Sequence, residues 1–140
     1  MSEVVKIVPL ALYLFIGAIS LLMAVKLLLS KKYLPFHEEA SGKPWEEIDG
    51  NLRHLILSLM KVSGLGFLIV SILLFIFPVY NYFRPHIFIK YAVPLIALLF
   101  CTGLFVTSFI LFKQTNAKTP WKKSLIALAV LLLAIILSGI

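Results

Sequence analysis

Four long runs of apolar residues dominate the chain and restrict the folds that it can adopt. They cover about residues 4–29, 55–77, 87–112 and 121–140. A helix that crosses the hydrocarbon core of a bilayer needs about 20 mostly apolar residues, and each run is at least that long. Apolar residues make up 61% of the 140 positions, whereas soluble domains contain about 45–50%. The sequence therefore predicts an integral membrane protein and excludes a water-soluble globule.

The apolar runs also predict the fold class, which is all-α. None of them alternates apolar and polar residues with a period of two, so they do not resemble the strands of a transmembrane β-barrel. The segments between them are too short for a separate soluble domain. We expect a single domain over residues 1–140, built as a four-helix transmembrane bundle.

Polar residues and prolines at the edges of the runs predict where the helices begin and end. Asp49 or Asn51 can cap the second helix, because either side chain can accept a hydrogen bond from an unpaired backbone N–H group. Pro78 is expected to end that helix, since proline lacks the N–H group that would continue the hydrogen-bond ladder. Thr119 and Pro120 are expected to be the cap and the first residue of the fourth helix.

The distribution of positive charge predicts how the bundle lies in the membrane. The chain carries 13 Lys and Arg residues against six Asp and Glu residues, a net charge of +7. Ten of the basic residues flank the first and third loops: Lys26, Lys31, Lys32, Lys43, Arg53, Lys61, Lys113, Lys118, Lys122 and Lys123. Only Lys6, Arg84 and Lys90 lie at the other end. Because cytoplasmic loops are enriched in Lys and Arg, we predict cytoplasmic first and third loops, with both termini outside.

Membrane orientation accounts for the positive charge without a nucleic acid partner. The basic residues lie in short segments between the apolar runs. They form no basic stripe interleaved with exposed aromatic side chains, the pattern that binds single-stranded nucleic acids. We therefore predict no binding to nucleic acid.

The first loop, residues 30–52, is the segment with the most varied polar chemistry. Five of the six acidic residues of the chain lie in it. Its candidate site residues are His37, Glu38, Glu39, Trp45, Glu46 and Glu47. The simplest interpretation is a solvated connector whose acidic residues favour the positive N-terminal end of the second helix. A metal site formed by the loop histidine, its acidic neighbours and His54 is the alternative; the spacing matches no metal-binding signature, so we predict no metal ligand.

The second run carries the most polar face of the membrane region. His54, Ser58 and Lys61 are four and three residues apart, so they share one side of a helix. We expect Gly64 and Ser71 to continue the same side.

Lys61 is the charged residue that lies well inside an apolar run. It is about 9 Å beyond Leu55 along the helix axis, and a charged amine in hydrocarbon costs several kcal/mol. None of the runs contains a carboxylate that could pair with it. Three interpretations stay open: the amine reaches up to the head groups, it pairs with a first-loop carboxylate, or it binds an anionic amphiphile. The candidate residues for ligand or lipid binding are Lys61, His54, Ser58 and Arg53.

Small side chains recur at helical spacing in the other three runs. Lipid tails give no hydrophobic drive for helix association, so close packing depends on such residues. The stripes are Gly17, Ser20 and Ala24; Pro94, Ala97, Cys101 and Ser108; and Ser124, Ala127, Leu131, Ala134 and Ser138. We interpret them as packing seams and predict no catalytic role for their hydroxyl groups or for the thiol.

Three segments of the chain stand out together: Tyr33-Leu34-Pro35-Phe36-His37, Lys43-Pro44-Trp45-Glu46-Glu47, and Leu59-Met60-Lys61 followed by Gly64-Leu65-Gly66. In these segments the chain resembles a set of small four-span bacterial membrane proteins of uncharacterised function. The resemblance covers residues 33–66, about a quarter of the chain. It implies a four-helix integral membrane fold in which the first loop and the base of the second helix form one unit, and it implies no activity.

The predicted architecture is also similar to that of the membrane-associated eicosanoid and glutathione metabolism family. Proteins of that family have four spans, outside termini and a working cytoplasmic first loop. Their glutathione-binding pattern of Arg, Asn and Glu is not reproduced, because Asn51 and Arg53 are too few and differently spaced. This similarity concerns architecture alone and implies no function.

These observations favour a small protein of the bacterial inner membrane without catalytic activity or a cofactor. It would be a structural or accessory element whose first loop and polar second-helix face contact membrane lipids or a membrane protein partner, and a homo-oligomer fits this interpretation. The alternative is a membrane enzyme that acts on a lipophilic substrate at the cytoplasmic mouth of the bundle. Such an enzyme needs a cavity in which His37, His54, Lys61 and a loop glutamate converge. A transporter is less favoured, because the runs lack carboxylates and have no broken-helix signal beyond Pro94.

Overall fold

The computed structural model describes residues 3–139, and this part of the chain is helical with no β-strand. Its five α-helices are α1 (Glu3–Leu29), α2 (Pro35–Ser41), α3 (Gly50–Phe83), α4 (Ile87–Thr115) and α5 (Trp121–Gly139). All except α2 are long and apolar enough to cross a membrane. The predicted all-α class is therefore confirmed, and so are four helices that are long and apolar enough to span a membrane.

The four long helices form a bundle in which each packs against two others. α1 contacts α3 and α5, and α4 contacts the same two helices. Of these four interfaces, the one between α1 and α3 is the most extensive and the one between α3 and α4 is the least. The short helix α2 lies against α4. The bundle is therefore closed, with its loosest seam between α3 and α4.

The outward face of the bundle is apolar. Leu22, Phe88 and Leu99 are 71%, 72% and 75% exposed, and many other large apolar side chains are exposed with them. Leaving one such side chain in water instead of burying it costs about 1.5–3 kcal/mol. This surface is therefore suited to contact with lipid tails rather than with water.

Small side chains on α1 pack against α3, as their spacing predicts. Gly17, Ser20 and Ala24 are all buried. The backbone of Gly17 comes so close to α3 that a Cβ atom there would lie 3.3 Å from the Cβ atom of Leu74. The stripe on α4 is buried at Pro94, Ala97 and Cys101, and the stripe on α5 is buried at Leu131 and Ala134. These residues meet in the middle of the bundle, where Ala97, Cys101, Leu131 and Ala134 belong to one core cluster.

The ends of α3 confirm one prediction and correct another. The side chain of Asp49 accepts a hydrogen bond from the Asn51 N–H group at 3.1 Å, so Asp49 is the N-cap. The prediction that Pro78 ends this helix is wrong, because the helix continues to Phe83. A proline inside a helix removes one backbone hydrogen bond, and packing against neighbouring helices allows membrane helices to tolerate this loss.

The start of α5 also differs from the prediction. The helix begins at Trp121, and the carbonyl of Pro120 accepts a hydrogen bond from the Ser124 N–H group. Thr119 does not act as the cap, because its hydroxyl group donates to the backbone carbonyl of Ser108 at 2.8 Å. This bond ties the third loop to the last turns of α4.

The first loop is more ordered than a solvated connector. It contains α2 and a turn of 3₁₀-helix at Trp45–Glu47. Tyr33, Leu34 and Ile48 are buried although they lie between two membrane-spanning helices. The interpretation as a connector holds for the exposed acidic residues of the loop and is wrong for its apolar residues, which pack against the bundle.

Candidate functional site

Residues 33–48 fold back over one end of the bundle, and we call this segment the loop cap. Tyr33, Leu34 and Ile48 of the loop cap form a buried cluster with Leu27 of α1 and Met60 of α3. Burial of these apolar side chains holds the cap on the helices, at about 25 cal/mol for each Å² of apolar surface that is covered. The first loop and the base of α3 thus form one unit.

Tyr33 organises the interior of the loop cap. Its hydroxyl group donates a hydrogen bond to the backbone carbonyl of Lys43, which joins the start of the cap to the segment that follows α2. Its ring meets the ring of Trp45 edge to face, with 4.9 Å between the ring centres. Aromatic pairs in this arrangement contribute about 0.5–1.5 kcal/mol beyond the area that they bury.

Arg53 fastens the loop cap to α3. Its Nε atom donates to the carbonyl of Trp45 at 3.0 Å, and its Nη2 atom donates to the carbonyl of Glu46. The guanidinium carbon also lies 5.8 Å from the centre of the Trp45 ring, within the range of a cation–π contact. Because these donors are already used, the structure gives Arg53 a structural role in the cap. Sequence reasoning missed this role, since backbone carbonyl partners leave no mark in a sequence.

His37 lies at the start of α2 and is a hydrogen-bond acceptor there. Its Nδ1 atom accepts the N–H group of Leu34 at 3.1 Å, so the neutral ring carries its proton on Nε2. Burial lowers the pKa of His37 below its ordinary value. The folded cap therefore favours a neutral imidazole whose Nε2–H group is available as a donor.

Acidification is expected to loosen the loop cap through His37. The unfolded cap would take up a proton near pH 6.5, whereas the folded cap resists protonation until a lower pH. The stabilisation is thus fully present above about pH 6.5 and is lost as the pH falls toward the lowered pKa, by at most about 1.4 kcal/mol per pH unit. Amide exchange of Leu34, corrected for the intrinsic pH dependence, measures this loss. The variant His37→Gln keeps an accepting oxygen that does not titrate, and an unchanged pH dependence in this variant would contradict the assignment to His37.

A cleft of about 340 Å³ opens beneath the loop cap, beside the loose seam between α3 and α4. Its lining is mostly apolar: Met23, Leu27, Leu34, Phe36, His37, Ile56, Leu59, Met60, Ser63, Phe67, Leu104, Ser108 and Pro120. The Ser63 hydroxyl group donates to the Leu59 carbonyl at 3.0 Å, so it is already used within α3. The cleft therefore offers a ligand an apolar wall and the imidazole ring of His37.

The acidic residues of the first loop do not converge on this cleft. Glu39 accepts the backbone N–H group of Lys118 at 2.8 Å, and this bond joins the first and third loops. Glu38, Glu46 and Glu47 are exposed, and none of them forms an ion pair within residues 3–139. Over the same range, no three His, Cys, Asp or Glu residues lie close enough together to hold a metal ion.

The polar face of α3 points away from the cleft. His54, Ser58 and Lys61 are exposed, whereas Gly64 and Ser71 are buried against the other helices. The prediction that all five share one side is therefore wrong, because the glycine and the second serine belong to the stripe that packs inside the bundle. Two consecutive positions on a helix differ by about 100°, so Lys61 lies nearly opposite the cleft residue Ser63. No carboxylate pairs with Lys61 in the described part of the chain.

The arrangement does not assemble the groups that an enzyme at this mouth needs. His37 lines the cleft, but His54, Lys61 and the loop glutamates do not line it. No family model matches the chain, and no curated protein or solved structure is significantly similar to it. The described residues form an apolar cleft below an ordered cap.

Proposed function

We propose that the protein is a lipid-binding accessory element of the membrane without catalytic activity of its own. A lipid acyl chain lies in the cleft between α3 and α4. The loop cap covers the end of the acyl chain that lies nearest to the cap. The observation that carries this proposal is the cleft of about 340 Å³, whose lining is apolar except for His37 and two serines. Small-molecule sites in proteins have this character, with apolar walls and a few polar groups that fix orientation.

His37, a polar residue in the cleft, favours the binding of a lipid that contains an ester group. The Nε2–H group of His37 is a donor, and the ester carbonyl of a glycerolipid is an acceptor beside an acyl chain. Ten of the 13 basic residues lie at this end of the bundle, so acidic head groups are attracted to it. Lys61 reaches the same head groups from the exposed face of α3 by extending its long side chain.

We also propose that the loop cap faces the cytoplasm of a bacterial cell, with both termini outside, and that the chain belongs to the small four-span bacterial set that it resembles. The excess of Lys and Arg at the first and third loops supports this orientation. A reporter enzyme fused after Ile140 tests it, because activity of the reporter in the cytoplasm would contradict the proposed topology.

A pair of serine variants tests lipid binding at the cleft. Ser63→Phe places a ring into the cleft, whereas Ser58→Phe places the same ring on the exposed polar face of α3. In native mass spectrometry from lipid nanodiscs, we expect retained lipid to fall at least about tenfold for Ser63→Phe, which corresponds to about 1.4 kcal/mol. We expect the Ser58→Phe protein to retain lipid like the parent chain.

The opposite pattern of lipid retention would contradict binding in the cleft. If Lys61→Met or Ser58→Phe removes the retained lipid and Ser63→Phe does not, the lipid binds the outward polar face. If the parent chain retains no lipid in nanodiscs of mixed neutral and acidic phospholipids, the proposed function is wrong.

A further inference from the structure

A second cavity lies at the opposite end of the bundle, where the second loop joins α3 to α4. Its volume is about 240 Å³, and we call it the second-loop cavity. All four long helices contribute to its lining, which includes Lys6, Pro9, Tyr13, Asn81, Lys90 and Ser138. None of its lining residues belongs to the cleft beneath the loop cap. The two cavities are therefore separate sites.

Tyr13 gives this cavity a buried polar group without a partner. The residue is 5% exposed, and its hydroxyl oxygen has no hydrogen-bond partner within residues 3–139. Buried polar groups in proteins are nearly always hydrogen-bonded, and leaving one unpaired is unfavourable. The nearby Ser138 hydroxyl group donates to the Ile135 carbonyl at 2.9 Å, so the Tyr13 hydroxyl group remains able to donate to a bound molecule.

Two lysines place positive charge nearer to the mouth of the cavity than the Tyr13 hydroxyl group. Lys6 lies on the same side of α1 as Tyr13, about 10 Å further toward the helix end. Its Nζ atom is 3.9 Å from Glu3, whose side chain is 71% exposed, so this ion pair is weak. Lys90 comes from α4, and no carboxylate lies within ion-pair distance of it in the described residues. The mouth of the cavity thus favours an anion.

We propose that the second-loop cavity binds the acidic head-group region of a glycerolipid. The acidic group lies between Lys6 and Lys90, and an ester carbonyl deeper in the cavity accepts a hydrogen bond from Tyr13. Pro9, Leu10 and Leu137 line the same cavity and supply apolar contacts for the remainder of the molecule. This inference does not depend on the cleft beneath the loop cap, because the two sites share no residue.

Binding of a short-chain lipid to the detergent-purified full chain tests the site. The probe is dihexanoyl phosphatidylglycerol, with dihexanoyl phosphatidylcholine as the neutral control and inorganic phosphate as the free anion. We expect the phosphatidylglycerol alone to raise the melting temperature, and we expect its Kd to increase roughly tenfold for each of Lys6→Gln and Lys90→Gln. Lys113→Gln, a lysine at the other end of the bundle, is the matched control and should leave Kd unchanged.

Two further variants separate binding from folding. Tyr13→Phe removes the unpartnered hydroxyl group, so the free protein should be as stable as the parent chain or more stable, while binding of the phosphatidylglycerol weakens. Glu3→Gln removes the carboxylate beside Lys6, so binding should become tighter. Neither result is expected if Tyr13 and Lys6 only pack within the bundle.

Several outcomes would overturn the proposal. One is the absence of a thermal shift with both phosphatidylglycerol and phosphate. Another is an unchanged Kd in the Lys6→Gln/Lys90→Gln double variant, provided that the variant melts cooperatively. A shift with phosphate that equals the shift with phosphatidylglycerol would reject a glycerolipid and assign the site to a free anion.

Discussion

Gly64→Val is expected to destabilise the bundle by about 3 kcal/mol, the upper part of the range for overpacked interiors. Gly64 lies where α1 and α3 pack closely: a Cβ atom there would be 3.0 Å from Cγ of Leu28 and 3.1 Å from Cβ of Leu27. Leu27 belongs to the buried cluster beneath the loop cap. A branched side chain at position 64 must therefore push α1 and α3 apart, and it loosens the cap at the same time.

Gly103→Val is the matched control for this change. It makes the same substitution in another membrane-spanning helix, but a Cβ atom at Gly103 would meet nothing within 4 Å. We expect the stability of this variant to stay within about 0.5 kcal/mol of the parent chain. Unfolding by SDS titration in mixed micelles measures both variants. Equal stabilities of the two valine variants would contradict the close approach of α1 and α3.

Arg53→Ala is expected to cost about 2–3 kcal/mol and to release the loop cap. The variant loses two charge-assisted hydrogen bonds to backbone carbonyls and the contact with the Trp45 ring. Hydrogen bonds of charged groups contribute about 1.5–3 kcal/mol, and the two carbonyls are left without their donor. Limited proteolysis within residues 30–49 should be faster in this variant, and unfolding in mixed micelles should show the loss of stability.

The other arginine of the chain supplies the control. Arg84 is exposed, and its side chain makes no hydrogen bond or ion pair within residues 3–139, so Arg84→Ala should be nearly neutral. Arg53→Lys should recover only part of the lost stability, because a lysine cannot donate from two fixed positions to two carbonyls. Cleavage of the Arg53→Ala variant at the rate of the parent chain would contradict the fastening role of this residue.

The membrane-spanning helices follow from the sequence because length and apolar composition determine them. The predicted runs at 4–29, 87–112 and 121–140 differ from α1, α4 and α5 by a few residues at most. The second run, residues 55–77, marks only the apolar section of α3, which begins after the predicted cap Asp49 and continues past Pro78. Polar residues before Leu55 and the proline at position 78 lie within one continuous helix, because the helix extends past its apolar section and packing tolerates the proline.

The site could be predicted only in part, and the polar face of α3 shows why. Spacing places His54, Ser58 and Lys61 on one side of a helix, and the structure agrees. Spacing does not tell which side meets the neighbouring helices, so the expected continuation through Gly64 and Ser71 is wrong. The cleft depends on how far apart α3 and α4 lie, and the fastening by Arg53 depends on backbone carbonyls. Neither the distance between these two helices nor the hydrogen bonds of Arg53 can be inferred from a local sequence pattern.

The unequal lengths of the long helices determine how far each extends beyond the hydrocarbon layer of a membrane. α3 has 34 residues and α5 has 19, which correspond to about 51 Å and 28 Å. A hydrocarbon layer of about 30 Å matches α5, while α3 would have to lean by more than 50° to fit inside it, beyond the tilts of about 0–40° that such helices show. The apolar run of α3, residues 55–77, is about 35 Å long and close to the thickness of that layer. The polar ends of α3 therefore extend beyond the hydrocarbon on both sides, into the head-group regions and the water.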